Sequence, residues 1–289
     1  MMFFFSKVFS IYRSDGIQGL ASKFYRRLFS PPPRAKCYSL CRRYLSRSTG
    51  LEIGGPSGLF SRGSILPVYP LAKEIDNCNF ANNTTWQPVV EEGMTFRFDE
   101  NRPMGRQYIF EATNLFSIPS AKYDFLLSSH VIEHIANPLR ALGEWKRVLK
   151  EKGFLVLIVP HKEGTFDRQR PVTTFEHIFE DFERKTGEED LTHLPEILKF
   201  HDLKDSVEGE TFEEFKRRSE RNFENRCLHH HAFDTPLVAQ ILNHMELQIL
   251  AVELFFPCHI IAIARKIPPG HSPDNSPFLQ KTAEYVQWR

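Results

Sequence analysis

No apolar run in this 289-residue chain approaches the length of a bilayer span. The longest uninterrupted stretches, such as FLVLIV (154–159) and IIAIA (260–264), have the length of buried strands. Cysteine is scarce as well: five residues, an odd and scattered set, exclude a disulfide framework and point to a reducing compartment. Cys37 and Cys41 share a helix face, but no second close pair completes a cysteine zinc site. The opening MMFFFSKVFS is interrupted at Lys7 and lacks a small-residue cleavage site, so a secretory signal is not expected. There is no internal repeat. Net charge is close to zero, with 37 Lys and Arg against 36 Asp and Glu. That balance hides an asymmetry. Residues 1–50 hold ten basic residues and one acid, Asp15, which leaves 27 basic against 35 acidic residues in the remainder.

Residues 1–47 therefore read as a basic arm on an acidic body. Phe24, Leu28 and the pair Arg26 and Arg27 suit a basic amphipathic helix ending at SPPPR. Two readings stay open for it: a solvated extension, or weak attachment to an anionic membrane. From 48 onward short apolar runs alternate with helical periods, which is the pattern of an α/β fold. Strands are expected at 51–54, 72–76, 108–111, 123–128, 154–159, 247–255 and 259–265. The clearest helix is 138–150, where Asn137 caps, Pro138 takes the first position and Gly153 follows the end. Asp234 before TPLVAQILNHM repeats that cap-then-helix order. The last two strands, separated by Pro257 and Cys258, should form an antiparallel hairpin. A polar, helix-bearing insertion occupies 161–233, after a strand end where α/β proteins build substrate sites. The main domain is expected at 48–267, and 268–289 read as a tail.

The most informative stretch is LEIGGPSG (51–58). A glycine-rich turn after a first strand brings backbone close to a nucleotide. A dinucleotide fingerprint needs G-x-G-x-x-G running into a helix. Here the glycine spacing differs, Pro67 and Pro70 leave little room for that helix, and Glu52 would repel a pyrophosphate. An adenosyl ligand without phosphates fits better.

In its glycines and acid, LEIGGPSG resembles the first motif of class I S-adenosylmethionine-dependent methyltransferases, E/D-x-G-x-x-x-G, matched by Glu52, Gly54 and Gly58, with Gly55 between them. Further segments resemble the family at the expected intervals. AKEID supplies Asp76, twenty-four residues after Glu52, as the family's ribose carboxylate. IFEATNLFSIPSAKYDFLL places Glu111, with Ala112 beside it, where the family has an acid facing the adenine amino group, although Glu stands there for Asp. YDFLLSSHVIEHI and NPLRALGEWKRVLKEKGFLVLIVP are close to the family form, and put Ser129 and His130 at a strand exit lining the ligand pocket. Glu133 and His134 read as braces of the following turn. The resemblance implies a Rossmann-like, seven-stranded, mostly parallel sheet with an antiparallel last strand, and S-adenosyl-L-methionine as cofactor.

Methyl transfer to a hydroxyl benefits from a base. His161, directly after the fifth strand, is the first candidate and His177 the reserve. His229, His230 and His231 read as pocket lining or structure; no carboxylate stands near them at a ligand spacing, so no metal is expected. Arg168, Arg170, Thr173 and Thr174 offer donors to a polar or anionic acceptor, with a solvated loop as the equal alternative. The expected activity is methylation, by preference O-methylation, of a small-molecule or glycan-like acceptor by a cytoplasmic protein, peripheral to the inner face of a membrane if the arm attaches there. A stable nucleic-acid partner is not expected from so few basic charges on an acidic body. The alternatives are a non-catalytic interaction protein of the same fold and, less favoured, a nucleic-acid methyltransferase or a nicotinamide oxidoreductase.

Overall fold

Among the described residues, eight strands form one sheet in the order β3-β4-β2-β1-β5-β6-β8-β7. The structure is a computed structural model that describes residues 33–201 and 210–280. The expected amphipathic helix of the arm therefore lies outside the described residues. The strands are β1 (Thr49–Ile53), β2 (Glu74–Asn79), β3 (Gly93–Phe96), β4 (Gly105–Ile109), β5 (Tyr123–Ser129), β6 (Leu149–Pro160), β7 (Leu247–Phe255) and β8 (His259–Lys266). The pairs β4–β2, β2–β1, β1–β5 and β5–β6 are parallel, whereas β8 runs antiparallel to both β6 and β7. This is the expected α/β sheet with one correction. It has eight strands rather than seven, because Gly93–Phe96 adds a short antiparallel edge strand against β4. Its four residues, partly exposed and broken by a register shift, carry no alternating apolar signature.

The central strands are apolar on both faces because both faces are covered. In β6, Leu155, Leu157 and Val159 face one core, while Val156 and Ile158 face the other. The first core is closed by α2 (Pro138–Val148) and α7 (Thr235–His244), through Leu139, Leu142, Trp145, Leu237 and Ile241. Both helices start as their sequences dictate. Asn137 Oδ1 accepts from Arg140 N–H (3.1 Å), Asp234 Oδ1 accepts from Leu237 N–H (2.8 Å), and proline sits in each first turn. The second core is closed by α1 (Tyr38–Tyr44) and by the irregular segment carrying Phe60, Leu66, Val68, Tyr69 and Ala72. Between β1 and β2 there is only the single 3₁₀ turn Gly58–Phe60, as Pro67 and Pro70 foreshadow. Helix α2 stops at Val148, short of the expected 150. Leu149 already pairs with Tyr123, and residues 150–153 bulge before the ladder resumes at Phe154.

The insertion leaves and rejoins the sheet at one point. His161 bridges Phe233, Lys162 N–H donates to Phe233 O (2.9 Å) and Thr173 N–H to Ala232 O (3.0 Å). Between these ends lie α3 (Phe175–Arg184), α4 (Leu194–Phe200), α5 (Phe212–Glu220) and the short α6 (Asn222–Asn225); α8 (Ser276–Leu279) follows the last strand. Among the described residues, no helix is long and apolar enough to cross a membrane.

Candidate active site

The carboxyl ends of β1, β2, β4 and β5 open into a cavity of about 280 Å³. This is where an open parallel sheet places its ligand. Gly54, Asn79, Phe110, Glu111, Ala112, Ser129 and His130 come to its wall from the strand exits, and Trp86 and Gln87 from the loop after β2. The insertion closes it with Glu188 and Arg226.

The glycine turn is built from beneath. Gly54 adopts φ +76°, a conformation that favours glycine, and a Cβ there would lie 2.6 Å from Val131 Cγ2. Glu52 is fully buried below the turn and does not reach the cavity wall. Its carboxylate accepts from Ser57 N–H (3.0 Å) and from the Tyr69 hydroxyl (2.8 Å to Oε2). Burial pushes its pKa up to about 8, against the lowering effect of those two donors. Gly55 leaves room for that carboxylate: a Cβ there would fall 2.3 Å from Glu52 Cδ. Asn77 locks the turn from β2, with its Oδ1 accepting from Gly55 N–H (2.9 Å) and its Nδ2 donating to Gly55 O (3.1 Å). Gly58 starts the 3₁₀ turn in open space, away from the cavity. Of the four motif residues, Gly54 alone faces the ligand space, and the other three shape the turn that carries it.

Asp76 requires a correction. The strand expected to end there runs on to Asn79, so Asp76 lies mid-strand and away from the cavity. It accepts from Tyr123 hydroxyl (2.6 Å), Lys122 Nζ (3.0 Å) and Arg106 N–H (2.8 Å), which ties β2 to the adjacent β4 and, past β1, to the start of β5. The residue at the strand exit is Asn79, whose Nδ2 donates to Gln87 Oε1 (3.1 Å), while Gln87 Nε2 donates to Gly55 O (2.7 Å). Glu111 stands on the wall as expected, but Arg226 Nη2 donates to its Oε1 (2.6 Å). Arg226 Nη1 lies 2.8 Å from Glu188 Oε2. Burial raises Glu188 to about 7 in spite of that guanidinium. Nothing near Asn79, Gln87, Glu188 or Arg226 in sequence announces this grouping; the last two arrive from the insertion, more than a hundred residues after the turn.

A second, larger and more polar cleft of about 620 Å³ lies under the insertion and shares Trp86, His130 and His134 with the first. On its wall His229 Nδ1 meets Asp167 Oδ2 at 2.5 Å, and Arg170 Nη1 donates to Asp167 Oδ1 (2.8 Å). Burial opposes charge on both members of the pair. Even so, Asp167 holds the His229 pKa above its ordinary value, and His229 and Arg170 hold Asp167 at about 2. Glu133 is fully buried beside His130 and His134, and neither of its oxygens has a hydrogen-bond partner. Burial raises it to about 7.

The two histidines expected to act on the acceptor stand away from both cavities. His161 lies on neither cavity wall. Its Nδ1 accepts from Glu163 N–H (3.2 Å), which caps a 3₁₀ turn, its backbone is pinned to Cys258 O, and burial lowers its pKa. His177 lies on α3 with its Nε2 3.0 Å from His193 Nε2, again away from both cavities. The His229–Asp167 pair stands on the wall of the second cleft instead. Its members stand 62 residues apart, which hides the pairing from any local spacing.

The residues on the first cavity suit S-adenosylmethionine. Ile53, Phe80, Phe110 and Val131 give an apolar slot, the backbone of Gly54 allows close approach, and the Asn79 and Gln87 amides can pair with hydroxyls. A comparison with curated proteins finds no match. Among solved structures, the chain is similar to an S-adenosylmethionine-dependent methyltransferase from Mesorhizobium loti (12% identity, 80% of this chain and 98% of that one, TM-score 0.46). It is also similar to ones from Methanosarcina mazei (15%, 79% and 97%, 0.43) and Aquifex aeolicus (14%, 80% and 90%, 0.39). Residues 92–157, from β3 to the middle of β6, match the family model described as a methyltransferase domain. That match makes residues 92–157 similar to a methyltransferase domain, and the parallel sheet covered on both faces and the cavity at its strand exits accord with it.

Proposed function

We propose that this chain is an S-adenosylmethionine-dependent methyltransferase that methylates an oxygen of a small or glycan-like polar acceptor, and that the acceptor lodges in the second cleft. The observation that carries the reading is the Asp167–His229 pair on the wall of a polar cleft that adjoins the cofactor cavity. The bound cofactor supplies an electrophilic sulfonium methyl; the rest falls to the protein. Positioning an acceptor in line, out of water, supplies much of the acceleration. A hydroxyl must also lose its proton, and His229 is built to take it. Asp167 engages Nδ1, fixing ring and tautomer, so Nε2 is the nitrogen left to exchange a proton with the acceptor. Arg170 supports this base rather than greeting the acceptor. Its guanidinium is committed to Asp167, to Glu196 and to the His229 and His230 carbonyls.

The experiment is His229→Gln with a panel of hydroxylated acceptors. Turnover should fall by about a hundredfold or more with S-adenosylhomocysteine affinity retained. Because Asp167 raises the His229 pKa, the neutral base accumulates only above the ordinary imidazole range. The acidic limb of the wild-type pH–rate profile should therefore lie above pH ~6.5 and vanish in the variant. Near-normal turnover in the variant would remove His229 as the base.

A further inference from the structure

We propose a structural zinc site made by His177, Asp181, His193 and His231, inside the insertion and outside both cavities. One ligand atom from each of these four residues lies within 4.8 Å of the others. The separations resemble the edges of a coordination tetrahedron. His177 Nε2 is 3.0 Å from His193 Nε2 and 3.4 Å from Asp181 Oδ2. Four ligands at zinc–nitrogen distances of 2.0–2.1 Å stand about 3.3 Å apart. Three imidazoles and one carboxylate suit zinc and disfavour the all-oxygen spheres of magnesium or calcium.

A second observation points to the same ion. The Asp181 side chain is 91% buried, yet only one of its oxygens is satisfied. Oδ1 accepts from the Thr186 hydroxyl (3.0 Å), while Oδ2, directed at the imidazoles, has no hydrogen-bond partner. In the fully buried His231, Nε2–H donates to Ala136 O (3.3 Å), the outer-shell bond of a ligating imidazole, and Nδ1, the nitrogen left to take the ion, has no partner. Buried polar atoms left in this way cost stability unless something outside the protein satisfies them. A carboxylate held by a hydroxyl on one oxygen and bare on the other is in the condition of a metal ligand with its outer-shell partner already in place.

The local structure explains the convergence. His177 and Asp181 are four residues apart on α3 and so share one helix face. His193 immediately precedes α4, and His231 precedes α7. Zinc would thus clamp three chain segments that share no strand. It would also fix the segment carrying His229, two residues before His231, against the start of α2, where Asn137 Nδ2 already donates to Asp181 O (2.9 Å). Four protein ligands leave no open position, so the ion would hold structure and take no acceptor. The two other groupings among the described residues, His130 with Cys258 and His259 and Glu133 with His134 and His229, offer three ligands each, and the second lies on the cleft wall.

Metal-stripped full-length protein, titrated with zinc against a chromophoric chelator, should take up one equivalent and gain thermal stability. Cobalt in its place should give the intense visible bands of a tetrahedral site. His193→Gln, at a half-buried position, should weaken binding by more than the ~10–100-fold typical of losing an outer-shell partner. His229→Gln should keep the equivalent. Absence of a bound equivalent, a weak octahedral cobalt spectrum, or loss of zinc in His229→Gln with retention in His193→Gln would each overturn the proposal. If the His193 variant does not fold, the wild-type stoichiometry and cobalt spectrum decide.

Discussion

At the scale of single residues, the contrast between Asp76 and Asn79 shows how a sequence motif can name the right strand and the wrong atom. An acid in AKEID is a reasonable ribose ligand only if β2 ends there. Three more strand residues move the exit to Asn79 and leave Asp76 as a buried acceptor for Tyr123, Lys122 and Arg106. Asp76→Ala strands two side-chain donors and a backbone N–H, and should cost about 2–3 kcal/mol in chemical denaturation. The S-adenosylhomocysteine affinity of the folded protein should stay near wild type. Asn79→Ala should do the reverse, weakening affinity several-fold with little change in stability. An affinity loss confined to Asp76→Ala would return the ribose role to Asp76. Glu111, Ala112, Ser129, His130 and Gly54 were legible because each lies within a few residues of a strand exit, where local pattern fixes position. Arg226, Glu188 and the Asp167–His229 pair were not. Their places depend on how the insertion folds back, and no short-range period encodes that.

Among elements, the turn after β1 is the one whose chemistry depends most on its support. The cap-and-proline starts of α2 and α7 and the doubly apolar strands could be read directly, because each signal lies within one turn or one strand of its effect. The turn could be recognised but not explained from its own residues, since Asn77 and Tyr69 hold it from outside. Gly55→Ala sets a methyl against the Glu52 carboxylate, which must then move and release Ser57 N–H and Tyr69. Cofactor affinity should drop by about tenfold or more, an effect on the order of 1.4 kcal/mol, as read by calorimetry. Glu52→Gln is the informative companion. With a carboxyl raised to about 8, the native side chain is mostly neutral at pH 7, and an amide oxygen at the Oε1 position can still accept from both Ser57 N–H and the Tyr69 hydroxyl. That variant should bind cofactor like wild type at pH 7. A folded-state pKa above the unfolded value gives stability that is lost as pH rises through about 8, so wild type should weaken there and Glu52→Gln should not. A tenfold affinity loss in Glu52→Gln at pH 7 would show that the turn needs the charge.

Across the whole molecule, two sets of buried groups set the response to acid, and they work in opposite directions. Burial depresses His130 to about 3 and lowers His134 and His259. The unfolded chain therefore binds more protons at these sites below pH ~6.5, and stability falls as pH falls. Burial raises Glu52 to about 8 and Glu133 and Glu188 to about 7. Those carboxyls are protonated first in the folded state, so they add stability as pH drops from 8 toward their unfolded pKa. Near pH ~4.5 the unfolded carboxyls also take up protons and that gain ends. The histidine loss continues toward 3. The carboxyl gain should offset only part of the histidine loss between pH 7 and 5, because burial also lowers His161, His193, His201, His230 and His231, so stability should fall gently there. Below pH 5 the melting temperature should fall by about 5 °C or more per pH unit, since 1 kcal/mol is worth roughly 2–4 °C in a domain of this size. Urea midpoints against pH give the proton count from the slope. The slope between pH 5 and 4 should shrink by about one proton in His130→Gln. A wild-type stability that is flat to pH 4, or a His130→Gln slope equal to wild type, would mean that these imidazoles become charged without unfolding and that the clefts admit water freely.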